Sequence, residues 1–184
     1  MVIRHVEKPD GMDAGVGVTG KKSAHDPIVR GWQRAGALTV LFGPTFGPLQ
    51  NTALETPQFL FASNDTSQRP IDTITPLSMK LGVEIDTSFD EGSEAEMVAA
   101  AKQCDGVVLI AWQHGKIPTI AAAILEDPTL IDSVPTKWPG NRFDIVWVFD
   151  LDAKAKPPAY TFTQVPQLVL AGDLPSVIVK SAAA

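Results

Sequence analysis

Val107-Val108-Leu109-Ile110-Ala111-Trp112, running directly into Gln113-His114-Gly115, is the stretch on which the fold turns. The apolar residues are continuous rather than alternating, and the run falls far short of the ~20 residues of a membrane helix, so it reads as a strand buried on both faces. Pro118 then starts a helix through Ile120 and Leu125, Asp144 to Phe149 is a further strand, and Tyr160 to Phe162 suits an edge strand. On the amino-terminal side, Ser93-Glu94-Ala95-Glu96 has the form of a capping box opening a helix towards Cys104. Val83 to Ile85 is a short strand. Ile71, Ile74, Leu77 and Leu81 mark a helix face ending at Gly82, and Pro76 is expected to kink or split that helix. Phe59-Leu60-Phe61-Ala62 is a second buried strand. Asp26-Pro27 reads as a cap and first helical position for a face of Ile28, Trp32, Ala35 and Leu38, stopped by Gly43-Pro44. Pro9 to His25 is a polar, Gly-rich loop, and Met1-Val2-Ile3 is the first strand. Strands that alternate with helices predict an α/β fold, a three-layer sandwich whose mostly parallel sheet carries helices on both faces.

The 184 residues suit one domain spanning 1–184, with 45% hydrophobic and 20% charged residues, the balance of a globular chain. A formal net charge of −6 argues against a general nucleic-acid binder, which needs a basic surface. No apolar run predicts a membrane span, and Arg4, His5, Glu7, Lys8 and Asp10 break up any signal-like stretch at the amino terminus, so a cytoplasmic location is expected. Cys104 is the single cysteine and forms no intrachain disulfide.

In open α/β sheets, ligands bind beyond the carboxyl ends of the strands. The first strand runs into Arg4-His5, the second leads through a polar turn to Arg69-Pro70, and the opening stretch runs into His114. If these strands are parallel, two of the chain's three histidines and two arginines share one rim. That set suits phosphoryl chemistry. A transferring phosphoryl group spreads negative charge over its oxygens, and arginine's planar fork meets them with paired N–H bonds. Neutral imidazole can attack phosphorus, and a second histidine can offset charge developing on the oxygens.

Here the sequence resembles a known superfamily. Val2-Ile3-Arg4-His5 followed by Val6-Glu7-Lys8-Pro9 is similar to the Arg-His-Gly motif that ends the first strand of histidine phosphatases, in its Arg-His-Ala-Glu-Lys-Pro variant. Gly31-Trp32-Gln33-Arg34-Ala35 resembles that family's first helix. Ala62-Ser63 with Arg69-Pro70 and Thr73 resembles the segment of its second phosphate-binding arginine, and Trp112-Gln113-His114-Gly115 that of its second histidine. The resemblance implies a phosphoglycerate-mutase-like fold and a phosphatase acting on a small phosphorylated substrate. It casts His5 as nucleophile, Arg4 and Arg69 as phosphate ligands, and His114 as completing the pocket. The implied proton donor lies among Asp90, Glu91 and Glu94, with Glu91 preferred because it sits with Asp90 nearest the strand end. Val6, in place of a small residue, is expected to tighten the pocket entrance, and Lys8 to add charge there.

The alternative is a non-catalytic module that binds phosphate or phosphopeptide through the same pocket. Gly15 to Lys22 matches a nucleotide-binding loop up to Lys21 but has lysine where Ser or Thr should hold magnesium, and is read as a chance match whose lysines can steer an anion. No cluster has metal-ligand spacing, so neither a metal nor another cofactor is expected. The four tryptophans read as core or rim packing, with Trp112 a candidate for the pocket wall. His25 is read as solvated, and Asp150, Asp152 and Asp173 as solvated turns.

Overall fold

The computed structural model describes residues 1–156 and 158–180. The single domain expected over 1–184 therefore includes Pro157 and residues 181–184, which lie outside the described residues. The chain forms strands β1 (Val2–Arg4), β2 (Phe59–Ala62), β3 (Ile85–Asp86), β4 (Val108–Trp112), β5 (Ile145–Asp152) and β6 (Ala159–Pro166). Between them run helices α1 (Val29–Phe42), α2 (Arg69–Leu81), α3 (Glu94–Ala101), α4 (Ile117–Leu125) and the short α5 (Pro128–Ile131). One sheet has the order β3-β2-β4-β1-β5-β6. β3, β2, β4 and β1 are parallel, whereas β5 is antiparallel to β1 and β6 to β5. The expected three-layer α/β sandwich is thus the fold found, with β5 reversed.

Burial on both faces explains the continuous apolar strands. In β4, Ile110 and Trp112 join Met97, Val98, Ile117 and Ile120 of α3 and α4 in one core cluster. Leu109 and Ala111 point the other way, into a second cluster with Leu38, Phe42, Ile74 and Leu77 of α1 and α2. Successive residues of β4 therefore feed opposite cores.

Several local expectations are corrected. α1 starts at Val29, not after Asp26, and no side chain caps it. The reason is a competing use of the entry segment: Ile28 N–H donates to the Glu7 carbonyl and Val16 N–H to the Pro27 carbonyl, which holds Pro27-Ile28 extended. Pro76 lies inside α2 without splitting it, and the helix ends at Gly82 in the left-handed region (φ 67°). Ser93 does not cap α3 through its side chain. Instead Glu94 turns inward and accepts from the Gly92 amide at 3.0 Å and the Trp112 indole at 3.1 Å.

Candidate functional site

β1 and β4 lie side by side, with Arg4 opposite Trp112, and the Arg4–His5 peptide extends the ladder by one bond, from His5 N–H to the Trp112 carbonyl at 3.0 Å. From this point the chain after β1 goes to α1 on one face, and the chain after β4 goes to α4 on the other. Such a divergence opens a crevice at the strand ends. His5 and His114 leave the sheet beside that crevice, and Arg69 opens α2 after the neighbouring β2.

His5 is 2% exposed. Its Nδ1 lies 2.7 Å from the Val6 carbonyl. A carbonyl only accepts, so Nδ1 carries the proton and the Nε2 lone pair is left free. Burial pulls the His5 pKa down to about 3; the Val6 hydrogen bond opposes this, while the charges of Arg4, Arg69 and His114 reinforce it. The ring is neutral at any pH near 7. Its neighbours in the chain tie it to the other two elements: His5 N–H bonds the Trp112 carbonyl, two residues before His114, and Val6 N–H bonds Thr73 Oγ1, which itself donates to the Arg69 carbonyl.

Arg4 is 1% exposed, and its NH1 donates to the carbonyls of Gly140 (2.7 Å) and Arg142 (3.1 Å). Its guanidinium carbon stands 3.7 Å from the centre of the Phe143 ring, a cation–π contact. Burial lowers its pKa to about 10, with Glu7 opposing and Arg69 adding to the shift. Nε and NH2 of Arg4, and Nε of Arg69, are buried yet have no hydrogen-bond partner among the described residues. Unmet buried donors of this kind are costly and imply an acceptor from outside. Arg69 NH1 is held by the Ala24 carbonyl at 3.1 Å. His114 is also pulled down by burial, then by the charges of Arg4 and Lys8.

Of the three acids considered, Glu94 is buried against Trp112, and Asp90 and Glu91 are both exposed. Glu91 donates its amide to Asp65 Oδ1 at 3.0 Å, and its carboxylate lies 3.9 Å from Lys116 Nζ, two residues past His114. Val6 does not line an entrance: it is fully buried, with its N–H donated to Thr73 Oγ1 at 2.9 Å. Trp112 is likewise fully buried in the core rather than on a pocket wall. Gly15 to Lys22 folds into a small turn closed by a Val16–Lys22 bridge and leads into no helix directly.

Sequence reasoning missed two groups. The 139–143 segment cradles Arg4, and it reaches the rim because antiparallel β5 begins where the parallel strands end. Asp173, expected in a solvated turn, is instead buried against Arg34 (2.7 Å), which also grips Glu7. A cavity of about 360 Å³ opens at the opposite end of the sheet, beside Val107, Val108 and Tyr160. Its Lys102 is already held by Glu126 and the Ala123 carbonyl, and the histidines and unpaired arginine donors are all at the other rim.

No protein-family model matches the chain, and no curated protein does. Solved structures do. A mycobacterial hydrolase superposes with a TM-score of 0.51 at 14% identity, over 88% of this chain and 95% of that one. A mycobacterial glucosyl-3-phosphoglycerate phosphatase, solved as a complex with VO3, superposes with a TM-score of 0.48 at 12% identity, over 89% of this chain and 95% of that one. At such identity the likeness to the first is one of fold, the phosphoglycerate-mutase-like α/β sandwich.

Proposed function

We propose that the chain is a phosphatase that hydrolyses a small phosphorylated substrate through a phosphohistidine on His5. The observation that carries this reading is the set of buried, unpartnered N–H groups on Arg4 and Arg69 beside a neutral imidazole whose Nε2 is free. Three phosphoryl oxygens supply the missing acceptors, and Nε2 supplies the electron pair. His114 donates to a non-bridging oxygen as charge builds, and Glu91 gives its proton to the leaving oxygen. Water then attacks the phosphohistidine while the Glu91 carboxylate takes its proton; the P–N bond breaks, releasing inorganic phosphate and restoring both His5 and the Glu91 acid. No step in this sequence calls on a metal, and a cytoplasmic setting and metal independence belong to the same proposal.

The test uses an aryl phosphate, whose leaving group needs little protonation, beside an alkyl phosphate. His5→Ala should abolish turnover of both, and Arg69→Ala should slow both by about a hundredfold. Glu91→Gln should slow the alkyl ester far more than the aryl ester. Full turnover in the His5 variant would exclude the mechanism, and loss of activity on chelation would point to a metal enzyme. Tight phosphate binding without turnover of either ester would favour the non-catalytic binding module.

A further inference from the structure

β6 is the last strand of the sheet, and its eight residues pair one-to-one with β5, from Ile145↔Pro166 to Asp152↔Ala159, without a bulge. The register continues past the strand, where the Gln167 amide donates to the Asp144 carbonyl at 2.8 Å. Opposed residues of an antiparallel pair alternate between bonded and non-bonded. Counting back from Gln167, the odd-numbered residues Val165, Thr163, Thr161 and Ala159 turn their N–H and C=O groups to β5. Gln164, Phe162 and Tyr160 turn theirs outward, and among the described residues no backbone group bonds them there. Exposed edges are ordinarily blunted by charge, by a bulge or by shortness. The other edge is blunted in this way, since β3 is only Ile85–Asp86, preceded by Glu84. β6, Ala-Tyr-Thr-Phe-Thr-Gln-Val-Pro, holds no charged residue at all. Pro158 and Pro166 fall four residues to either side of Phe162, so the outward donors are bracketed symmetrically about it.

We propose that this edge pairs with the same edge of a second copy of the chain, as an antiparallel two-fold dimer centred on Phe162. A two-fold interface sets residue i against j and j against i. Centred on Phe162, it sets Phe162 against its own copy, Tyr160 against Gln164 and Thr161 against Thr163. Each outward residue then exchanges both of its backbone bonds with the residue opposite, and Pro158 meets Pro166, where neither has a donor to leave unmet. Opposed residues share a face, so phenylalanine meets phenylalanine and threonine meets threonine, pairs that stabilise antiparallel strands. The Phe162 ring is already held against Trp147 and Phe149, with centroids 5.4 and 5.3 Å away, while Thr161 and Thr163 are exposed on the other face. A strand without charge offers no grip to an acidic or basic peptide and brings no like charges together against itself. The assembly also closes, because pairing consumes β6 and leaves only the short β3 at each end of the joined sheet.

The test is sedimentation equilibrium of the full chain together with amide hydrogen exchange read residue by residue. One strand pair is a small interface beside the ~1,000 Å² of a stable complex, so the dimer should appear in a concentration series that reaches about 1 mM. Across that series the apparent mass should double and go no further. The amides of Tyr160, Phe162 and Gln164 should slow in step with it, whereas those of Thr161 and Thr163, already bonded to β5, should be protected throughout. The double variant Thr161→Lys with Thr163→Lys changes two exposed side chains and sets lysine against lysine on both sides of the axis. It should keep the urea midpoint of the wild type and remain a monomer at every concentration. A wild type that stays monomeric up to about 1 mM overturns the inference. So does growth beyond a dimer, or a dimer that the lysines leave intact. Dimerisation with the three outward amides still exchanging as in the monomer also overturns it, and this reading on the wild type needs no variant to fold.

Discussion

Thr73→Val removes one oxygen and almost no volume, yet it should both loosen the fold and slow the proposed reaction. Thr73 is fully buried, and its hydroxyl joins two site elements. It donates to the Arg69 carbonyl at 2.6 Å and accepts the Val6 amide at 2.9 Å. Valine leaves the Val6 N–H buried without a partner, at about 1–3 kcal/mol, while the Arg69 carbonyl keeps its helical bond. For a chain of this size, 2 kcal/mol lowers the melting temperature by about 4–8 °C. The functional effect follows from the next atom along, because the Val6 carbonyl fixes the His5 ring through Nδ1. A turn free to shift by an ångström misaligns Nε2, so kcat should fall by about tenfold or more, with a smaller change in KM. Thr73→Ser keeps the hydroxyl and loses a methyl group. It should cost about 1 kcal/mol yet hold kcat near the wild type. Urea unfolding and aryl-phosphate kinetics on both variants check this. Valine within about 0.5 kcal/mol of the wild type with unchanged kcat would refute the reasoning, as would serine proving as harmful as valine.

Asp173→Ala should destabilise by about 3–5 kcal/mol in urea unfolding, because Arg34, 3% exposed, then keeps a buried charge that Glu7 alone must balance; Asp173→Asn should cost less. His5 should also make stability depend on pH. The unfolded ring takes its proton near 6.5 and the folded ring only near 3, so the contribution is complete above 6.5 and is lost as pH falls through that window. The slope from this group is at most about 1.4 kcal/mol per pH unit, and urea midpoints of His5→Asn should lack it.

How far the chain could be read without coordinates follows from the range of each signal. β2 and β4 are legible because burial on both faces writes an unbroken apolar run into neighbouring residues. Arg4, His5, Arg69 and His114 could be nominated from the sequence because each stands at the end or start of an element whose direction the parallel pattern sets. The supports are a different matter. Glu7 and Arg34 are separated by 27 positions and Arg34 and Asp173 by 139, and nothing local marks them as partners. Asp26 looks like a helix cap because caps are judged on adjacent residues, whereas the bonds that hold Pro27-Ile28 out of the helix come from Glu7 and Val16. The Arg4 cradle is not marked locally, because a mostly parallel sheet leaves the direction of β5 open; running antiparallel to β1, it brings its start and the Gly140 and Arg142 carbonyls to the Arg4 end of the sheet. A Trp-Pro-Gly turn just before β5 was the available clue.

The 4–7 turn is held from every side, and this accounts for a charge arrangement that would otherwise be unstable. β4 binds His5 through its backbone, α2 binds Val6 through Thr73, and the 139–143 segment binds Arg4. α1 closes the fourth side. Gly31 packs so tightly that an added Cβ would meet the Glu7 carbonyl oxygen at 2.7 Å, and Arg34 pairs with the Glu7 carboxylate at 2.8 Å. Two arginines act on the same histidine, and their like charges raise the energy of that corner. Protonating His5 would add a third positive charge, and burial prevents it, so the ring stays neutral with its lone pair available. Arg4 tolerates burial because carbonyls and the Phe143 ring face part of its guanidinium, while Nε and NH2 are left over. A chain optimised for stability alone would satisfy or replace those donors. In the proposed phosphatase, donors aimed in advance from a turn fixed on four sides would need no reorganisation when the charge arrives.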